Sequence, residues 1–321
     1  MRLLAAALLA SLFVAAVAEP ATGPGWRLAP PIPSPRKEFG FATWRSEVVV
    51  AGGVDAADTT ARVDAYSPRT RRWRRLPPLP EAMHGGMAAA SAGRLYVVGG
   101  ATSKQLSYAL YVLSGRRWKP LKTMPRSRGA AGTAVIGNRL YVVGGVTYAG
   151  SASGTVLATS MLAYDFRSGG WIDLVGPTPR ENLAVAARGG LLYAIGGTTV
   201  GPGGNDITGD VTTDLVEVYN PRTNQWRKLA PIPEARTRTA AVTVSGMIVA
   251  AGGQDNAFKP MASVYALDDA DRWRPLPRLR VARYELGLGA VDGRTFAVTG
   301  TRGSQSYLLT ATTEVLTSRP R

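Results

Sequence analysis

Residues 239–276 read TAAVTVSGMIVAAGGQDNAFKPMASVYALDDADRWRPL, and this stretch decides the fold. Four β-type runs can be marked in it: TAAVTV (239–244), MIVAAGG (247–253), ASVYALD (262–268) and RWRPL (272–276). Ser245-Gly246 and Asp268-Asp269 supply turn residues between them. Runs this short, rich in valine and aromatic residues and bounded by glycine, aspartate and proline, are strands rather than helices.

The Gly252-Gly253 pair that ends the second run recurs along the chain. VVVAGG ends at Gly53, LYVVGG at Gly100 and again at Gly145, LYAIGG at Gly197, and a degraded copy, FAVTG, at Gly300. Successive copies lie 47, 45, 52, 56 and 47 residues apart. Units of that period built only from β-type runs are propeller blades, not helical solenoid repeats. Trp73, Trp118, Trp171, Trp226 and Trp273 follow the first five pairs; Tyr66, Tyr111, Tyr164 and Tyr219 stand seven residues before their tryptophans and Tyr265 eight before Trp273. The glycines fit a close backbone approach, and the rings supply rigid area for contact between neighbouring sheets. A single such sheet cannot bury both faces, whereas sheets stacked radially cover one another.

A hydrophobic strand, Gly-Gly, a spaced tyrosine and then tryptophan resemble the kelch repeat, and the resemblance covers essentially all of the chain after residue 18. It implies an all-β, six-bladed kelch-type β-propeller with four antiparallel strands per blade, in agreement with the runs themselves. The sixth copy has three strands, in ELGLGAV (285–291), TFAVTG (295–300) and TTEVLTS (312–318), and no tryptophan after them. Trp26-Arg27-Leu28-Ala29-Pro30 matches WRRLPP and WRKLAP yet precedes the first Gly-Gly unit. The expectation is that this N-terminal strand closes the last blade and leaves no open radial edge.

Residues 1–18 read as a signal peptide: Arg2, an apolar run from Leu3 to Val17, and Ala16-Val17-Ala18 before Glu19. The run is shorter than the roughly 20 residues that span a bilayer. The expected organisation is therefore 1–18 removed on export and 19–321 a single propeller, periplasmic or secreted and monomeric. With no cysteine in the chain, neither a disulfide nor a lipid on cysteine is available. A net charge of +16, spread over every repeat, suits a solvated surface with possible electrostatic attraction to an anionic envelope. Nucleic acid is a poor partner for an exported chain with no recognition motif.

The inter-blade segments and the second-to-third strand connections of such blades emerge on one face. Near the start of each innermost strand stand Arg36, Met83, Arg128, Arg180, Arg236 and Arg283. The expectation is a ring of five guanidinium groups at one mouth of the channel, suited to a carboxylate, phosphate or sulfate. The alternative is structural pairing with carboxylates such as Glu38, Glu181 and Glu285. Blades 3 and 4 carry insertions on the same face, VTYAGSASGTVLATS (146–160) and TTVGPGGNDITGDVTTD (198–214), whose Tyr148 and Asn205 join the candidate ligand-binding residues.

One histidine, His84, and no cysteine leave no zinc or copper site of the usual ligands, and no cofactor is expected. The secreted copper oxidases that share kelch propellers need histidine ligands and a tyrosine crosslinked to cysteine, so this chain is not one of them. The first expectation is a binding propeller for a protein segment or an acidic ligand such as a glycan. The second is a metal-independent sugar epimerase or mutarotase of the sialic-acid type, with Glu38, Glu181 or Glu285 as acid or base. A structural envelope protein is third.

Overall fold

Six four-stranded antiparallel sheets and two small two-stranded ones form the fold, a six-bladed propeller. The structure, a computed structural model, describes residues 25–149, 154–200, 210–304 and 308–317. The proposed signal peptide and Asn205 lie outside the described residues. Blade 5 shows the pattern read from the sequence, with strands Ala240–Val244, Met247–Ala251, Val264–Leu267 and Trp273–Leu276. Among the described residues no helix is long and apolar enough to cross a membrane.

The ring closes as expected. Trp26–Ala29 pairs antiparallel with Thr313–Leu316, with Trp26 opposite Leu316 and Ala29 opposite Thr313, completing the sheet that holds Gly287–Val291 and Arg294–Val298. The core is divided in the same sense: six buried clusters occupy the six junctions between neighbouring blades. The junction between blades 6 and 1, for instance, holds Phe296, Val298 and Val291 against Val48, Val50 and Tyr66. Every sheet thus depends on both neighbours for burial.

The Gly-Gly pair owes its place to the segment that enters the next blade. A Cβ on Gly52, at φ +65°, would lie 2.6 Å from the carbonyl oxygen of Met83 in blade 2, and one on Gly53, at φ +100°, 2.6 Å from that of Lys37. The Gly53 N–H donates to the Met83 carbonyl at 2.7 Å, and the equivalent bonds reach Arg128, Arg180, Arg236 and Arg283. Around the closure, the Gly300 N–H donates to Arg36 at 3.3 Å. Here Thr299 replaces the first glycine at φ 48°; its hydroxyl accepts from the Arg36 N–H at 3.0 Å. A hydroxyl that satisfies the crossing backbone explains why this copy tolerates the loss.

Each fourth-strand tryptophan ties its blade to the one before. The indole N–H groups of Trp26, Trp73, Trp118, Trp171, Trp226 and Trp273 donate to the carbonyls of Pro277, Pro30, Pro77, Lys122, Val175 and Ala230, at 2.8 to 3.3 Å. The tyrosine is less regular than its spacing suggests. Tyr66, Tyr164 and Tyr219 sit directly opposite their tryptophans with ring centroids 5.2 Å apart. In blade 2 a two-residue turn at Gly115-Arg116 shifts the register, so Leu113 faces Trp118 and Tyr111 faces Pro120. Blade 5 likewise sets Leu267, not Tyr265, against Trp273.

Candidate functional site

The five arginines are not at the mouth. Arg36, Arg128, Arg180, Arg236 and Arg283 are all fully buried, so the expected guanidinium ring facing solvent is corrected. Each lies beneath the Gly-Gly crossing, where the backbone leaves carbonyls to satisfy. Arg180 donates to the carbonyls of Gly196, Thr178 and Ala194 and pairs with Glu217. Arg36 pairs with Asp64 at 2.8 Å and Arg283 with Glu314 at 2.7 Å.

Asp64, Glu217 and Glu314 occupy the same third-strand position, opposite the residue two before the first glycine of the pair or its counterpart Thr299. In blade 2 that position is Tyr111, and the arginine is Met83. Charge and countercharge are absent together there, because neither could be buried alone at low cost. Blade 5 has Tyr265, over whose ring Arg236 lies at 5.2 Å, with Glu234 accepting at 3.0 Å as substitute partner. Blade 3 has Leu162, and among the described residues Arg128 donates to Ser127 and Ser160 and pairs with no carboxylate. Burial lowers the Arg128 guanidinium to about 10, Arg126 adding repulsion; burial opposed by Glu234, with Arg278 adding repulsion, brings Arg236 to about 10, and burial opposed by Glu314 brings Arg283 to about the same value.

The mouth is built two residues further on. Glu38, Gly85, Ala130, Asn182, Arg238 and Glu285 all adopt left-handed backbone, at φ 53°, 58°, 51°, 54°, 52° and 53°. For a residue other than glycine or asparagine that conformation costs about 1 kcal/mol or more. It is stabilised by a relay of hydrogen bonds around the axis: Gly85 to Glu38, Ala130 to Gly85, Asn182 to Ala130, Arg238 to Asn182 and Glu285 to Arg238, N–H to carbonyl, at 2.7 to 3.1 Å. The residue before each ring position pairs with the residue just after the Gly-Gly pair, for example His84 with Ala101 and Glu181 with Thr198. The ring is thereby joined to the second-to-third strand connections.

These residues surround a cavity of about 350 Å³. Glu38, His84, Glu181, Asn182, Arg238 and Glu285 give it a polar wall, and Phe39, Leu183 and Leu286 an apolar floor. Below it, Phe41, Val185 and Leu288 face the axis around a smaller space of about 160 Å³. Three carboxylates named from the sequence as weak acid–base candidates are therefore brought together, but as cup lining and not as partners of the buried arginines. Arg238 donates to Glu285 at 2.6 Å, and the Thr301 hydroxyl to the same carboxyl at 3.2 Å. Burial raises the Glu285 carboxyl above its ordinary value, with Arg238 opposing. Glu38 lies 3.6 Å from Lys37 and 3.9 Å from His84.

The insertions form hairpins on this face, Val146–Tyr148 with Thr155–Leu157 and Thr198–Val200 with Asp210–Thr212. The Tyr148 hydroxyl accepts the Leu106 N–H at 2.8 Å, which fixes the first hairpin against blade 2. Arg238 was missed by sequence reasoning. Its signal was its offset, two residues past the buried arginine, as for Glu38 and Glu285. Among the described residues no group of three His, Cys, Asp or Glu side chains is placed to hold a metal ion.

Comparison with known proteins agrees with this architecture. The KLHDC2/KLHL20/DRC7 Kelch-repeats domain matches residues 77–253 and the Kelch motif matches 35–80 and 235–280. Kelch-like protein 21 of Danio rerio is 32% identical over 297 residues, 80% of this chain and 45% of that protein. Beta-scruin of Limulus polyphemus is 27% identical over 231 residues, 68% of this chain and 24% of its own. Kelch-like ECH-associated protein 1B of Danio rerio is 38% identical over 92 residues, 28% and 15% of the two chains. The chain spans less than half the length of these relatives. With six backbone crossings, five at Gly-Gly and one at Thr299-Gly300, indole ties and a family model covering more than half its length, the chain belongs to the kelch-repeat family.

Proposed function

We propose that this propeller is a non-catalytic binding module that receives a protein segment in the cup at the channel mouth. The observation that carries this reading is the cup itself: a polar wall on an apolar floor, opening on the face that carries both inserted hairpins. Concave sites of this size with a few convergent polar groups are where ligands bind. The name of Kelch-like ECH-associated protein 1B states association with another protein, which favours the same use of the fold. An acidic glycan fits less well, because the five guanidiniums that suggested it are buried and, among the described residues, Arg238 is the single arginine lining the cup.

Selection of disulfide-closed peptides displayed on phage against the full chain tests this. Ala130 lines the cup and already holds the left-handed conformation, so Ala130→Trp fills the space with little change to the backbone. Binders should lose at least about tenfold in affinity on that variant while its melting point stays within a few degrees. Absence of binders, or binders indifferent to Ala130→Trp, rejects the reading.

A second reading, a metal-independent sugar epimerase or mutarotase of the sialic-acid type, is favoured by Glu285. A buried carboxyl with a raised pKa, held by Arg238 and Thr301 inside the cup, is suited to hold and release a proton.

We further propose that the chain is exported, from the sequence of residues 1–18. Mass spectrometry of material from the cell envelope should find Glu19 as the first residue; a soluble cytoplasmic protein beginning at Met1 would overturn export.

A further inference from the structure

We infer that the partner segment is a loop or hairpin that places a lysine or arginine at its tip into the cup and rests apolar flanks on a surrounding crown. This rests on the reading of the cup as a protein-binding site and adds the chemistry of what enters it.

The crown comes from the distribution of exposed apolar side chains. Among the described residues seven large hydrophobics are exposed, and five of them lie in second-to-third strand connections, one in each of blades 2 to 6: Tyr108, Val156, Val200, Phe258 and Leu308. The two others, Leu28 and Val175, lie on the outermost strands. Scattered exposed hydrophobics need no explanation, but their concentration in the same connection of five neighbouring blades points to an interaction surface. Phe258 is the most exposed of them, at 64%. The connections that carry all five are joined to the cup ring, so exposed apolar side chains surround a polar centre.

Charge fixes the sign of the central group. The chain as a whole carries +16, yet its cup is lined by Glu38, Glu181 and Glu285 with Arg238 and the single histidine, His84, as basic lining groups. Arg238 is already taken up by Glu285. A carboxylate-rich cup in a strongly basic protein sets a local field opposite to the remainder of the surface, and complementary potential selects the partner. The cup's volume of about 350 Å³ accommodates one long side chain, whose stem can lie along Phe39, Leu183 and Leu286 while its cationic head meets the wall. Three carboxylates against one guanidinium leave the lining with an excess of negative charge that an acidic segment would meet, and a purely apolar segment would dehydrate that charged wall with no compensating contact of its own.

The test uses the selected disulfide-closed peptides. Their tips should be enriched in arginine or lysine between apolar residues. Replacing the tip cation by glutamine should weaken binding at least about tenfold, and Glu38→Lys should reverse the preference to acidic tips. Glu38 suits this change because its side chain is 31% exposed and its charged neighbours, Lys37 and His84, lie no closer than 3.6 Å, and the melting point of the variant checks that it folds. Phe258→Ser should weaken the same peptides without altering their tip preference. Binders that are blocked by Ala130→Trp but carry acidic or uncharged tips overturn this inference and leave the binding function standing. Binders indifferent to Ala130→Trp overturn both.

Discussion

A chain lacking residues 19–31 should lose cooperative unfolding and aggregate. The strand Trp26–Ala29 is the fourth strand of the last blade, and its removal uncovers the edge of Thr313–Leu316. Trp26 is buried among Val249, Leu279, Leu288 and Leu316, and its indole N–H is the tie from blade 6 to Pro277 of the preceding segment. Loss of one buried tryptophan costs about 3–5 kcal/mol, against a net stability of about 5–15 kcal/mol for a native protein. The backbone bonds of the closing pair are lost with it, and an unpaired, flat edge is a template for intermolecular pairing. Size-exclusion chromatography and thermal unfolding of the truncated chain decide the matter. A monomer with unchanged melting temperature would show that the closing strand is dispensable.

Arg283→Ala should destabilise the protein by about 3–5 kcal/mol, because it leaves the fully buried Glu314 carboxylate without its cation. The N–H groups of Arg280 and Val281, at 2.8 and 3.2 Å, remain as acceptable but insufficient partners. The double change Arg283→Met with Glu314→Leu should recover most of the loss. It copies what the molecule already contains, Met83 at the arginine position of blade 2 and Leu162 at the carboxylate position of blade 3. Replacing a buried ion pair by apolar groups of similar volume is often close to neutral. Urea midpoints for the wild type, single and double variants give the comparison. A double variant no more stable than the single would mean that the arginine acts through the carbonyls it serves, such as Thr312 at 2.7 Å, more than through its charge partner.

The repeat was legible because its causes are local. Gly52-Gly53 and its copies are required by a backbone crossing that recurs at each blade, so they leave an invariant mark at a nearly constant interval. Trp26 was legible as an orphan fourth strand for the same reason, and the structure pairs it where that reading put it. The seven-residue spacing of Tyr111 and Trp118 does not report their register, since a tighter turn changes which residues face one another without changing the count between them.

The arginines show where local reading stops. Arg36, Arg128, Arg180, Arg236 and Arg283 were found by position, but a side chain long enough to reach either a channel or the interior does not reveal its direction in sequence. The partners of Arg36, Arg180 and Arg283, namely Asp64, Glu217 and Glu314, stand 28 to 37 residues away on the third strand, and only strand pairing brings them within reach. Glu38, Glu181 and Glu285 were visible as carboxylates beside arginines, yet their gathering with Asn182 and Arg238 around one cup required the ring to close.

The sequence by itself determined the blade, the number of blades and the strand that closes them, because turn glycines, alternating strands and indole positions are fixed by contacts each repeat makes in the same way. Tertiary structure alone decided which charges face inward and which face the cup. Burial and countercharge depend on residues brought together from separate strands and separate blades, and the free energy of placing a guanidinium or a carboxylate is set by that surrounding, not by its own neighbours along the chain.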